Sequence, residues 1–225
     1  MPVFLVIFIL VSVFHIVTIA IKREKARRIS KCLVMPLLLA VYISGGGSKF
    51  LIPAIALILG WVGDVLLIKI EKKTHFMTGL GAFLLGHLFY IFAFAGILGL
   101  FANGGAVIGA ALNINIPAII IFTPPTAVLA MVVFRLIKPT KEMFGPVIAY
   151  MIILIAMNFF GFQVFLQNPG IAGLLILSGC FNFMVSDTIL AYYTFRKIKL
   201  LGAVLIMVYY ILAQAEIIFG IMMLI

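Results

Sequence analysis

Acidic side chains are scarce in this chain: six Asp and Glu stand against 16 Lys and Arg, and charged residues make up only 10% of the 225 positions. With 66% of residues hydrophobic, so thin a polar coat excludes an ordinary soluble core. Cysteine is almost missing as well. Cys32 and Cys180 both fall in apolar runs without CxxC spacing, which excludes a disulfide framework and a thiolate metal site and leaves two small packed residues. No G-x-S-x-G elbow, no phosphate-binding glycine loop and no metal-ligand spacing is found, so acyl-enzyme chemistry is disfavoured and neither metal nor cofactor is expected. No basic residue precedes the first apolar run, VFLVIFILVSVFHIVTIA, and a basic cluster follows it. That order is the reverse of a secretory signal, so the run is read as a first transmembrane helix.

What the chain does have is apolar runs near twenty residues long, the length of a bilayer span. They predict an all-α, polytopic bundle of eight transmembrane helices in a single integral membrane domain, at about 2–21, 31–44, 50–69, 76–98, 115–136, 144–164, 171–194 and 200–223. Gly45 to Gly47 with Ser48, and Gln167 to Gly170 with Pro169, read as tight turns, and 100–115 as a Gly-, Ala- and Asn-rich connection. The net charge of +10 does not point to nucleic acid, because the basic residues cluster between apolar runs instead of interleaving with aromatics. Fifteen of them follow helices 1, 3, 5 and 7, and Lys49 alone lies on the other side. By the positive-inside rule, both termini then face outside. The expected host is a bacterial plasma membrane rather than an internal eukaryotic one.

Local likenesses suggest a duplication. GDVLL at 63–67 matches SDTIL at 186–190, LGAFLL at 80–85 matches LGAVLI at 201–206, and Lys31 precedes Pro36 by five residues as Lys141 precedes Pro146. Two four-helix halves, 1–99 and 115–225, would then run parallel about an axis normal to the membrane, with Asp64 and Asp187 as equivalents.

The chemistry-bearing residues are few. Glu24, Glu71 and Glu142 sit in basic loops, whereas Asp64, Asp187 and Glu216 lie inside apolar helices. A carboxyl in hydrocarbon is costly unless it faces a cavity or a partner, so Asp64 and Asp187 are the first candidates. By helical rise they lie about 8 Å and about 14 Å below the basic ends of their helices, whereas Glu216 falls near the opposite boundary, where it reaches water. The simple structural alternative pairs Asp64 with Trp61, and Asp187 with Asn182 or Ser186. The functional reading is a carboxyl dyad in which one member holds a proton while the other serves as base. His87 and Tyr90 share a face of helix 4, and Tyr210 and Gln214 a face of helix 8; either pair could orient a carboxyl or a water, or simply tie helices together. Lys31 at the start of helix 2 could meet a phosphate or mark topology. His15, alone in helix 1, reads as structural.

Five segments together resemble the YhhN-like membrane proteins that include the lysoplasmalogenases: SKCLVMPLLL from Ser30, GWVGDVLLI around Asp64, FMTGLGAFLLGHLFYIFAF around His87 and Tyr90, FNFMVSDTILAYYTF around Asp187, and the Tyr210 to Gln214 step. Departures are Cys32, where the family pattern has a Lys-Pro pair, and Glu216, where it has an apolar residue. The resemblance implies hydrolysis of the vinyl ether bond of a lysoplasmalogen, with a lysophospholipid drawn from the bilayer as substrate. Asp64 and Asp187 would be catalytic, with Lys31, His87, Tyr90, Asn182, Tyr210 and Gln214 binding or orienting the substrate, whose tail would lie deeper than the aspartates. A proton-coupled transporter with the same two aspartates is the alternative, since paired intramembrane carboxylates are also a transporter's parts. A membrane scaffold that uses them for packing is the other.

Overall fold

A computed structural model describes residues 1–69, 73–100, 115–196 and 201–225. Within them the chain forms eight α-helices: α1 Pro2–Ala20, α2 Glu24–Ser44, α3 Ile52–Leu66, α4 Lys73–Ala95, α5 Ile116–Ile137, α6 Phe144–Gln167, α7 Ile171–Arg196 and α8 Leu201–Met222. The protein is a polytopic helical bundle, as its apolar runs predict. Six helices are long and apolar enough to cross a membrane; α2, with its charged first turns, and the 15-residue α3 are not among them. The glycine turn is formed as expected, with Gly46 at φ 107° between α2 and a short 3-10 turn. Residues 101–114 of the expected connection, Glu71, and Lys72, Lys197 and Lys199 among the topology-setting cations, lie outside the described residues.

The second helix begins at Glu24, seven residues before the expected start. Glu24 and Arg27 form an exposed ion pair of 2.7 Å one turn apart, so the polar stretch after α1 coils before it turns apolar. This brings Arg27, Arg28, Ser30 and Lys31 onto one regular helix.

Packing neighbours run α1, α2, α3, α4, α6, α7, α8 and back to α1, so seven helices close a ring. Inside it, Val34, Leu38, Tyr90, Phe94, Phe183 and Ile217 are fully or almost fully buried. The α7–α8 seam is especially close. A Cβ at Gly179 would stand 2.9 Å from the Ala213 carbonyl oxygen, so only glycine lets the two backbones approach this far.

The fifth helix stands outside the ring and leans on α6 and α7. Of its side chains only Ala118 and Ile137 are buried. Polar clasps hold its two ends: Gln163 accepts from the Asn115 N–H at 2.8 Å and donates to the Asn115 carbonyl at 3.2 Å, and Arg196 Nε donates to the Leu136 carbonyl at 2.9 Å. Between the clasps, Phe122 packs on Phe159 and Phe162.

Candidate functional site

The C-terminal ends of α1, α3 and α7 and the N-terminal ends of α2 and α8 surround one cavity, and Arg196 ties the end of α5 to that of α7, so the polar interior opens from this end of the bundle. Asp64 sits in the last turn of α3 and is 3% exposed. Its partner is Lys31, whose Nζ lies 3.4 Å from Asp64 Oδ1. Lys31 is therefore turned into the bundle, against the snorkelling that its position at the membrane edge suggests. Trp61 does not pair with Asp64; its Nε1 donates instead to the Cys32 carbonyl at 2.9 Å.

Asp187 on α7 receives a hydrogen bond of 2.6 Å from the Tyr150 hydroxyl on α6. His87 of α4 brings Nε2 to 3.6 Å from the same Asp187 oxygen, just beyond hydrogen-bond range. The imidazole is 1% exposed and edge-packed between the rings of Tyr150 and Phe183, with centroids at 5.3 Å and 4.5 Å. Neither ring nitrogen has a hydrogen-bond partner among the described residues.

Tyr210 of α8 completes the floor. Its ring meets Phe83 and Phe183 edge-on, and its hydroxyl lies beside Asp64 without a hydrogen bond of good geometry to it.

The other expected members do not bond the aspartates, although Gln214 lies beside the Tyr210 hydroxyl. The Tyr90 hydroxyl donates to Gln214 Oε1, a buried tie between α4 and α8, so this pair joins helices. Asn182 Nδ2 donates to Glu216 Oε2 at 2.8 Å, and Ser186 Oγ to the Ile206 carbonyl at 3.0 Å; neither of these bonds goes to Asp187. Glu216 is thus partnered within the bundle rather than left to water.

Asp64 and Asp187 line one cavity of about 890 Å³. Its outer wall is basic, with Lys22, Arg27 and Arg28 near Lys31, and His15 of α1 is also part of it. A second pocket, of about 60 Å³ and almost wholly apolar, reaches Asp187 from beneath α5 and is bounded by Tyr150, Leu154, Val133 and Phe76. Asp187 and Leu190 belong to both walls. This apolar pocket lies in the same half of the bundle as the basic rim, not in the deeper half where a tail was expected. Among the described residues no group of three or more His, Cys, Asp or Glu is placed to hold a metal ion.

The sequence reading missed Tyr150 and set His15 aside. A signal for Tyr150 did exist: a lone hydroxyl among Ile, Met and Leu, four residues past Pro146 and well inside an apolar helix.

No curated protein and no solved structure matches the chain. A family model does match, over residues 26–221, a span that runs from the first turn of α2 almost to the end of α8 and includes both aspartates, Lys31, His87, Tyr150 and Tyr210. On that match the chain belongs to the YhhN family.

Proposed function

We propose that this protein is a membrane-embedded ether hydrolase that cleaves the vinyl ether bond of a lysoplasmalogen, releasing a fatty aldehyde and a glycerophospho-alcohol. One observation carries the reading: the two buried aspartates open on a single cavity with a basic rim, while an apolar pocket meets it at Asp187. Such a pair of cavities suits a single-chain amphiphile with a phosphate, its reactive bond held at the junction.

In this reading Asp187 is the acid and Asp64 the base. Lys31 gives Asp64 a counter-ion, so the one proton shared by the pair rests on Asp187. Tyr150 occupies Asp187 Oδ2 and leaves Oδ1 to deliver that proton toward the chain. Protonation of the alkenyl carbon remote from oxygen leaves an oxocarbenium ion. Water in the polar cavity loses a proton to Asp64 and adds to the carbon bearing the oxygen, much as paired carboxyls divide the work in glycoside hydrolysis. The hemiacetal then collapses. Its hydroxyl proton goes to Asp187, the glycerol oxygen takes the proton from Asp64, and the C–O bond breaks, which restores both carboxyls.

The test is aldehyde release by the purified protein from an alkenyl lysophospholipid beside its ester analogue, for the wild type and Asp187→Asn. Aldehyde from the alkenyl substrate alone, lost in the variant, supports the reading. Turnover of neither substrate overturns it.

A further inference from the structure

His15 is fully buried, and α1, which carries it, lies before the segment matched by the family model. Its surroundings fix what the ring offers. His15 Nδ1 lies 2.8 Å from Ser30 Oγ, and the same oxygen lies 2.8 Å from the Ala26 carbonyl. A serine hydroxyl has one proton, and a carbonyl can only accept. Both contacts are hydrogen bonds only if Ser30 donates to Ala26 and accepts from a protonated Nδ1. The neutral ring therefore carries its proton on Nδ1 and presents a bare lone pair at Nε2.

That Nε2 has no partner among the described residues, although His15 belongs to the wall of the polar cavity. An unpaired buried acceptor is costly and is relieved by any donor that reaches it. A second ring proton would add a buried cation to a wall that already holds Lys31, Arg27 and Arg28, so the donor that completes Nε2 comes from the cavity, as a water or as a ligand group that displaces it. Phosphate and ester oxygens only accept. Lys31 and Arg27 are paired with Asp64 and Glu24, and the remaining excess of positive charge, Lys22 and Arg28, disfavours an ammonium at the rim. What remains, beside water, is a ligand's neutral O–H or N–H, and the glycerol of a single-chain lipid supplies an O–H.

We infer that His15 is a specificity-determining residue that accepts a hydrogen bond from the free glycerol hydroxyl of a single-chain lipid. This rests on the substrate class proposed above. A two-chain lipid carries an ester at that carbon, which brings an acceptor against an acceptor, so His15 admits lysolipids and rejects their diacyl parents. The order along glycerol then follows the cavity: phosphate at the basic rim, hydroxyl at His15, ether oxygen at the aspartates.

The experiment is a binding titration of the purified full-length protein in detergent, using a saturated alkyl ether lysophosphocholine and its counterpart lacking the glycerol hydroxyl. Neither ligand can be hydrolysed at a vinyl ether, so the outcome is independent of whether the protein releases aldehyde. The wild type should bind the hydroxyl-bearing ligand about 10-fold or more tighter. His15→Leu should bind both equally, at the level of the deoxy ligand. Ser30→Ala, which keeps the imidazole but frees Nδ1, should narrow the difference. Equal binding by the wild type, or an undiminished preference in His15→Leu or in Ser30→Ala, overturns the assignment.

Discussion

The Tyr150 hydroxyl donates to Asp187 Oδ2 at 2.6 Å, and that bond joins α6 to α7 at the junction of the polar and apolar cavities. Tyr150→Phe keeps the ring against His87 and removes only the donor. Turnover of an alkenyl lysolipid should fall about 100-fold, the scale of one lost active-site donor, with KM nearly unchanged. Wild-type kcat in Tyr150→Phe would show that the bond only ties helices.

Lys31 and Asp64 should behave as a unit. Lys31→Met leaves a buried carboxyl without its counter-ion, and the cost of breaking such a pair is about 3–5 kcal/mol. Thermal unfolding in detergent should show a lowered midpoint for Lys31→Met that adding Asp64→Asn largely restores. Turnover should stay absent in the double variant.

Charge and hydrophobicity made the two aspartates legible in the sequence, because a carboxyl in an apolar run is rare enough to stand out by itself. Tyr150 and His15 are amphipathic, at home both in packed helices and in polar sites, so their sequence surroundings did not separate the roles. The early start of α2 was hidden for another reason: Glu24 to Arg28 have the composition of a loop, yet nothing in those side chains opposes a helix. The position of α5 was not legible at all. In a bilayer a helix facing lipid and one facing protein are both apolar, so hydropathy does not distinguish a ring member from a bystander.

The α7–α8 seam offers a packing test. At Gly179 an added Cβ would meet backbone, at 2.9 Å from the Ala213 oxygen and from the Ile217 nitrogen, so the helices themselves must part. Gly179→Ala should cost about 1–3 kcal/mol, read as a lower unfolding midpoint. Gly81→Ala is the control, since nothing lies within 4 Å of its Cβ.

Filling the apolar pocket should change which chains are accepted. Ala191 lies in its wall beside Asp187, and Ala191→Phe projects a ring into a space of about 60 Å³. Long-chain alkenyl substrates should lose kcat/KM about 10-fold or more relative to short-chain ones. An unchanged chain-length profile would remove the pocket from the substrate's path.

Orientation is open to labelling. In a protein whose Cys32 and Cys180 have been replaced, a cysteine at exposed Thr140 should react with an impermeant thiol reagent from the cytoplasmic side only. One at exposed Ser48 should react only from outside. The opposite pattern would invert the protein in the membrane.

The end of α3 has a consequence for hydration. Its regular turns stop at Leu66 and tighten into a 3-10 turn over Leu67–Lys69, so Asp64 stands five residues, about 8 Å, from the basic end of its helix. A carboxyl that close to a helix end can be wetted without a broken helix or a pore through the bundle. An aqueous pocket two turns deep is enough to meet the acid.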